Sequence, residues 1–237
     1  MLLYIVRHGI PDYTTDTLTE EGRPQAEAVV RRLQGVGIER IFSSPLGRAQ
    51  ETAAPTAKAL GLPIEICPFM SERVAGSHFF YLNAEGQRRW MCERRERVLS
   101  NPAVLHSPDA FSHGVYADDD LARQGFAELA AASDAFLADL GYVRQNDTLA
   151  YRPEGKTYGC VAAFCHAGFG LHWLAHLLGM PPHVFFCTFD YSHTGISLIQ
   201  LKTASDGLAY PHLLQHSDLT HIALADLPYL YNNEIPI

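Results

Sequence analysis

The chain is 237 residues long, room for one domain carrying an insertion. Its 47% hydrophobic and 19% charged content is that of a globular protein with a large buried core. Eighteen lysines and arginines stand against 26 acids, a net charge of -8, which argues against nucleic-acid or anionic-membrane binding because those partners require a basic face. Five cysteines (Cys67, Cys92, Cys160, Cys165, Cys187) form no C-x-x-C pair, so a disulfide framework and a zinc ribbon are disfavoured and a reducing, cytoplasmic setting is expected. The N-terminus lacks the basic region of a signal peptide, and no apolar run reaches the ~20 residues of a membrane span.

In chain order, Leu2 to Val6 is an apolar, partly β-branched run that reads as a buried strand, and it delivers Arg7, His8 and Gly9 at its end. Helical spacing of Ala26, Val29, Val30 and Leu33 follows, with Thr19 as expected N-cap, Glu20 and Glu21 in the first turn and Gly35 and Gly37 as stops. "ERIFSS" reads as a second strand, "PLGRAQETAAPTAKALG" as a helix from Pro45 to Gly61, and "LPIEICPF" as a third strand. This β-α-β-α-β order predicts parallel pairing with right-handed crossovers.

Between about 77 and 118 the pattern loosens. "AEGQRRWMCERRERVL" reads as one arginine-rich helix and "SNPAVLHSPDAFSHG" as a loop. A long helix headed by three aspartates follows, then a hairpin turn at 153–156, an apolar strand from Cys160 to Cys165, and a short helix in "GFGLHWLAHLLG". "TGISLIQLK" and "LAYPHLLQH" are later strands. The predicted fold is a single α/β domain over 1–237, a three-layer α/β/α sandwich with a mostly parallel central sheet and a helix-and-loop cap insertion at about 77–118.

Several strands end in groups suited to an anion. Arg48 sits one turn into the helix after "FSSPLG", His166 ends the strand "VAAFC" ahead of a glycine-rich helix start, and Glu72 follows the third strand. Arginine forks match phosphate oxygens, and helix N-termini favour anions. Together "RHG" at 7–9, "LTEEGRPQA" at 18–26, "SSPLGRAQET" at 43–52, "MSERVAG" at 70–76 and "CHAG" at 165–168 resemble the histidine phosphatase superfamily, the phosphoglycerate-mutase-like proteins, over most of the chain. "HSDLTHI" at 216–222 looks like that family's last strand.

The resemblance implies that His8 is a nucleophile forming phosphohistidine and that Arg7, Arg48, His166 and Gly9 surround the transferred phosphoryl group. It implies that Glu72 protonates the leaving group, with neither metal nor other cofactor required, because arginines neutralise charge in the loose transition state. The expected partner is a small phosphorylated substrate. The cap is expected to set specificity, with "HFFYL" at 78–82 as an aromatic wall. His78, Arg88 and Arg89 are expected substrate contacts, Arg94, Arg95 and Arg97 extend the basic run, and His113 and Tyr116 are further candidates. The alternative for the arginines is a solvated face interleaved with Glu85, Glu93 and Glu96.

One departure stands out. Where many members carry Glu-Thr and then an asparagine that holds phosphate, this chain reads "IPDYTTDT", which leaves Thr14, Thr15 or a backbone N–H to substitute. The missing Trp-Asn pair favours a phosphatase over a mutase. A phosphoglycerate-type mutase and a non-catalytic phospho-ligand or protein-binding module stay open as alternatives. His172 and His176, spaced i, i+4, have zinc-compatible spacing but no third ligand, and a packed or surface pair is the plainer reading. The apolar end "LPYLYNNEIPI" packs either on the core or on a second copy in a homodimer.

Overall fold

A computed structural model describes residues 1–229. Its elements are β1 (Leu2–Arg7), β2 (Pro11–Asp12), β3 (Thr17–Leu18), α1 (Gly22–Leu33), β4 (Arg40–Ser43), α2 (Gly47–Leu60), β5 (Ile64–Ile66) and α3 (Glu72–His78). Then come β6 (Phe80–Leu82), β7 (Arg88–Trp90), α4 (Arg95–Leu99), α5 (Pro102–Leu105) and the long α6 (Asp119–Asp139). The chain continues through β8 (Tyr142–Arg144), β9 (Tyr151–Pro153), β10 (Cys160–Cys165), α7 (Ala167–Leu178), α8 (Pro182–Thr188), β11 (Ile196–Thr203), β12 (Ala209–Asp218) and α9 (Thr220–Leu224).

The eight-stranded sheet runs β5-β4-β10-β1-β11-β12-β9-β8. Strands β5, β4, β10 and β1 are parallel, as the alternation of strands and helices predicts, and β11, β12, β9 and β8 extend the sheet in antiparallel fashion. Successive side chains of a strand point to opposite faces, and β1 shows the result. Leu3 and Ile5 join a core with Val161, Ala163, Trp173 and Ile199, whereas Tyr4 and Val6 join one with Val29, Leu33, Ile41 and Ala53. Each fully buried aliphatic side chain contributes about 1.5–3 kcal/mol relative to exposure. Helices therefore cover both faces, and the three-layer α/β/α sandwich is the observed architecture. No helix among the described residues is long and apolar enough to cross a membrane.

Some local expectations change. The stretch 84–99 is not one helix: Arg88–Trp90 is a strand paired with Phe80–Leu82, Met91–Arg94 is a 3-10 turn, and only Arg95–Leu99 is α-helical. Pairing Phe80 with Trp90 sinks both rings into the core, and that burial outweighs local helix preference. The turn at 153–156 does not fold β9 against β10, because β9 pairs with β8 and β12. Thr19 accepts a hydrogen bond from the Gly22 N–H at 3.0 Å, but α1 opens at Gly22, so Glu20 and Glu21 precede the first turn. Within 216–222 the strand stops at Asp218 and α9 begins at Thr220. Residues 230–237 of the apolar end lie outside the described residues.

The register explains where a site forms. Arg7 lies opposite Cys165 and Phe164 opposite Ser43, so β1, β10 and β4 end at one edge and release His8, His166 and Ser44 there. Strand β11 runs the other way with Ile196 opposite Val6, which brings the preceding residues 192–195 to that same edge.

Candidate active site

Arg7, His8, Arg48, Glu72 and His166 are all buried at this edge, with Arg7 and His166 at 0% exposure and His8 at 2%. The His8 ring centroid is 5.0 Å from that of His166. Its Nδ1–H donates to the Gly9 carbonyl at 2.7 Å, and its Nε2 accepts from Arg48 Nε at 3.3 Å. A carbonyl only accepts and a guanidinium only donates, so the two contacts select the neutral tautomer with its lone pair on Nε2. Burial, then the charges of His166, Arg7, Arg48 and His193, hold the His8 pKa well below its ordinary value. His8 is therefore an uncharged imidazole at neutral pH, its lone pair turned toward the arginines.

Gly9 serves spacing. A Cβ there would lie 2.8 Å from the Gly22 carbonyl oxygen, so only glycine lets the start of α1 approach. Its N–H is taken by Thr52 Oγ1 at 3.0 Å. Arg7 donates to the Tyr191 carbonyl and, at 2.9 Å, to His193 Nε2. Arg48 pairs with Asp16, whose other oxygen accepts the Gly47 N–H at 2.9 Å. His166 Nε2 is 2.8 Å from Ser44 Oγ, and its buried Nδ1 has no hydrogen-bond partner among the described residues. Burial, followed by Arg48 and Arg7, lowers the His166 pKa well below the ordinary histidine range.

Glu72 opens α3 but is held by another element. Its two oxygens accept the Gly168 and Phe169 N–H groups at 2.9 and 2.8 Å, at the N-terminus of α7. Burial raises its pKa, against the opposing pull of those two N–H groups and of Arg48 and Arg7. The net direction is upward, so desolvation wins. Each oxygen keeps a second lone pair, on which a proton can sit facing the pocket.

Three further pocket residues lie outside the motifs read from the sequence. His193 lies with its ring 5.6 Å from His8, delivered by the turn before β11. Tyr13 stands edge-on to His8 with centroids 6.5 Å apart, and the Arg48 guanidinium carbon is 5.2 Å from its ring centroid. Asp16 holds Arg48. Only the polar run "SHTG" ahead of an apolar strand, mirroring "RHG" after one, hints at His193.

The candidates from the cap have partners of their own. His78 Nδ1 is 2.8 Å from the Val74 carbonyl, and its ring packs on Gly125 beside an apolar pocket of about 190 Å³. Arg88 and Arg89 are exposed on the β6–β7 hairpin, Arg88 over the Phe80 ring at 4.3 Å. Tyr116 is buried against Phe111, and His113 lends its carbonyl to Arg97 at 3.5 Å. Thr14 and Thr15 are exposed, Thr14 N–H on Asp12 at 2.8 Å and the Thr15 hydroxyl on that of Thr17 at 2.7 Å. His172 and His176 have separate partners: the first donates to the Gly168 carbonyl at 2.7 Å, and the second meets Asp134 at 2.9 Å.

Residues 3–103 match the family model of the histidine phosphatase superfamily (branch 1). A probable phosphoglycerate mutase GpmB of Yersinia pestis is 39% identical over 79 residues, 30% of this chain and 37% of the relative, so the match spans well under half of the curated relatives' length. A phosphoserine phosphatase from Entamoeba histolytica in complex with 3-phosphoglyceric acid superposes with a TM-score of 0.58 at 22% identity, covering 93% of this chain and 98% of that one. A mycobacterial glucosyl-3-phosphoglycerate phosphatase does so with a TM-score of 0.56 at 20% identity, covering 90% and 97%. At these identities the structural likeness speaks to the fold. The matched stretch 3–103 contains Arg7, His8, Arg48 and Glu72, and His166 joins them in the pocket from outside it.

Proposed function

We propose that the chain is a phosphomonoesterase that works through a phosphohistidine at His8 on a small phosphorylated metabolite. The observation that carries this reading is the His8 tautomer: a neutral ring with Nε2 as acceptor, in a pocket shared with two buried arginines. In the first half-reaction the Nε2 lone pair attacks phosphorus, the P–O bond to the alcohol breaks, and Glu72 gives its proton to the departing oxygen. Arg7, Arg48 and the free nitrogen of His166 face the oxygens on which charge spreads. In the second, Glu72 takes a proton from water as that water attacks phosphorus and the N–P bond breaks. The incoming phosphate dianion favours protonation of both His166 and Glu72, which fits their roles as donors.

Hydrolysis of p-nitrophenyl phosphate by wild type and His8→Ala, in excess EDTA, tests the reading. Expected are turnover that persists in the chelator, turnover abolished in the variant, and acid-labile phosphate on His8 in the wild type. Retained turnover in His8→Ala would sink it. The 79-residue likeness to probable mutases favours a second reading, isomerisation of a phosphoglycerate. That activity requires a bisphosphate primer and releases little free phosphate, so phosphate release against isomer formation separates the two.

A further inference from the structure

We propose that Tyr13 is a substrate-contacting residue whose hydroxyl donates a hydrogen bond to a non-bridging oxygen of the phosphoryl group transferred to His8. The proposal rests on the phosphohistidine reading and supplies the polar contact that "IPDYTTDT" otherwise lacks.

The argument starts from the short β2–β3 hairpin. Its turn is held at several points: Asp16 on Arg48 and on the Gly47 N–H at 2.9 Å, Leu18 N–H on Glu51 at 2.8 Å, and Thr19 N–H on the Ile10 carbonyl at 3.0 Å. Thr14 and Thr15 bond within the turn and are exposed. Tyr13 instead turns its ring over the pocket, 6.5 Å from His8 at an interplanar angle of 89° and 5.2 Å from the Arg48 guanidinium carbon.

Arg7 and Arg48 act electrostatically on the Tyr13 phenol. A guanidinium can only donate, so neither arginine accepts the phenol O–H, which remains to be given to something else. The charge of Glu72 acts on Tyr13, but among the described residues no hydrogen bond joins the two, and the Glu72 oxygens are turned to the start of α7. A phosphoryl group seated between Arg7 and Arg48 brings three acceptor oxygens to that O–H. Burial of the hydroxyl end raises the phenol pKa, so the proton stays on oxygen across the neutral range. Tyr13 exchanges no proton with the reacting atoms; it supplies a fixed dipole where charge spreads. Tyr13 is 39% exposed, so removing the hydroxyl opens no core cavity.

The test compares wild type with Tyr13→Phe in steady-state hydrolysis of p-nitrophenyl phosphate and in calorimetric titration with inorganic vanadate, which mimics the five-coordinate phosphoryl group. Loss of one charge-assisted hydrogen bond predicts kcat/KM lowered about 10- to 100-fold and vanadate binding weakened by a similar factor, at an unchanged melting temperature. A variant that matches an active wild type in both readouts overturns the assignment. So does a fall in kcat/KM at unchanged vanadate affinity, because the hydroxyl would then act on the leaving group or only through Arg7. A wild-type chain that neither releases phosphate nor binds vanadate overturns the phosphatase reading itself, and the Tyr13 role with it.

Discussion

Gly168→Ala isolates the contact between the 79–118 region and the catalytic floor. A Cβ at position 168 would lie 2.5, 2.7 and 2.9 Å from Cη2, Cζ3 and Cζ2 of Trp90, whereas carbon atoms pack at about 3.5–4.0 Å. One of the two must retreat by close to 1 Å. Trp90 is 1% exposed and edge-on to Phe186 at 5.6 Å, so its indole has no open direction. Alanine within a helix is otherwise better than glycine by up to about 1 kcal/mol, so steric and intrinsic effects differ in sign. Overpacking of this kind costs about 1–3 kcal/mol. For a chain of this size that is a fall in melting temperature of about 3–10 °C. If the helix yields instead of the indole, the 2.9 Å bond from the Gly168 N–H to Glu72 is lost and kcat falls about 10- to 100-fold. Thermal melts and p-nitrophenyl phosphate kinetics on Gly168→Ala, Trp90→Phe and the double variant complete a cycle. Trp90→Phe deletes the crowding atoms, so the double variant should regain part of the loss. An unchanged melting temperature in the single variant, or additive losses in the double, would refute the reasoning.

Other outcomes follow from the same geometry. His172 is fully buried and burial pushes its pKa down to about 3, while the unfolded ring titrates near its ordinary value of about 6.5. Between these values the proton sits mainly on the unfolded chain, so stability falls as pH drops, by about 2.3 kcal/mol from pH 6.5 to 4.5. Urea titrations at pH 7 and pH 5 should show a smaller pH effect in His172→Gln; an equal one would contradict the assignment. His221, lowered by burial to about 4, adds to the same acid limb. Glu72→Gln should lower turnover of alkyl phosphates about 10²- to 10⁴-fold and that of p-nitrophenyl phosphate far less, since nitrophenolate leaves without a proton. Equal losses on both substrates would remove Glu72 from the role of acid. Ser44→Ala removes the 2.8 Å contact to His166 Nε2 and should lower kcat/KM about 3- to 10-fold, worth about 1 kcal/mol. No change in kcat/KM would show that His166 orients without Ser44.

What could be read from the residues was whatever depends on local pattern. The apolar runs of β1 and β10, the helix headed by Asp118 and the polar residues that close each strand all follow from spacing alone. Spacing put His8 and His166 at strand ends and Arg48 just after one; that they surround one group was what the family resemblance implied. The β6–β7 hairpin was hidden because Arg88 to Trp90 sit among residues that favour a helix, and their partner strand is only three residues long. His193 was hidden for a different reason. Its place beside His8 depends on Val6 lying opposite Ile196, a pairing across about 190 positions that no short window contains. Tyr13 and Asp16 follow a recognisable motif, but a hairpin of two-residue strands has no periodicity to show which side chain turns inward.

The position of β1 within the sheet also bears on how the chain is made. This first strand lies between β10, which starts at Cys160, and β11, which starts at Ile196, so both leave the ribosome long after it. Until then its apolar edge groups have no partner, because the early strands β4 and β5 pair with β10 and with each other but not with β1. Sheet closure is a late event that joins the two ends of the polypeptide, and such long-range pairing makes for slow folding with exposed strand edges. Nascent chains of this protein therefore carry an unpaired hydrophobic strand until β10 is made, and a message truncated before position 160 encodes a pocket with one wall missing.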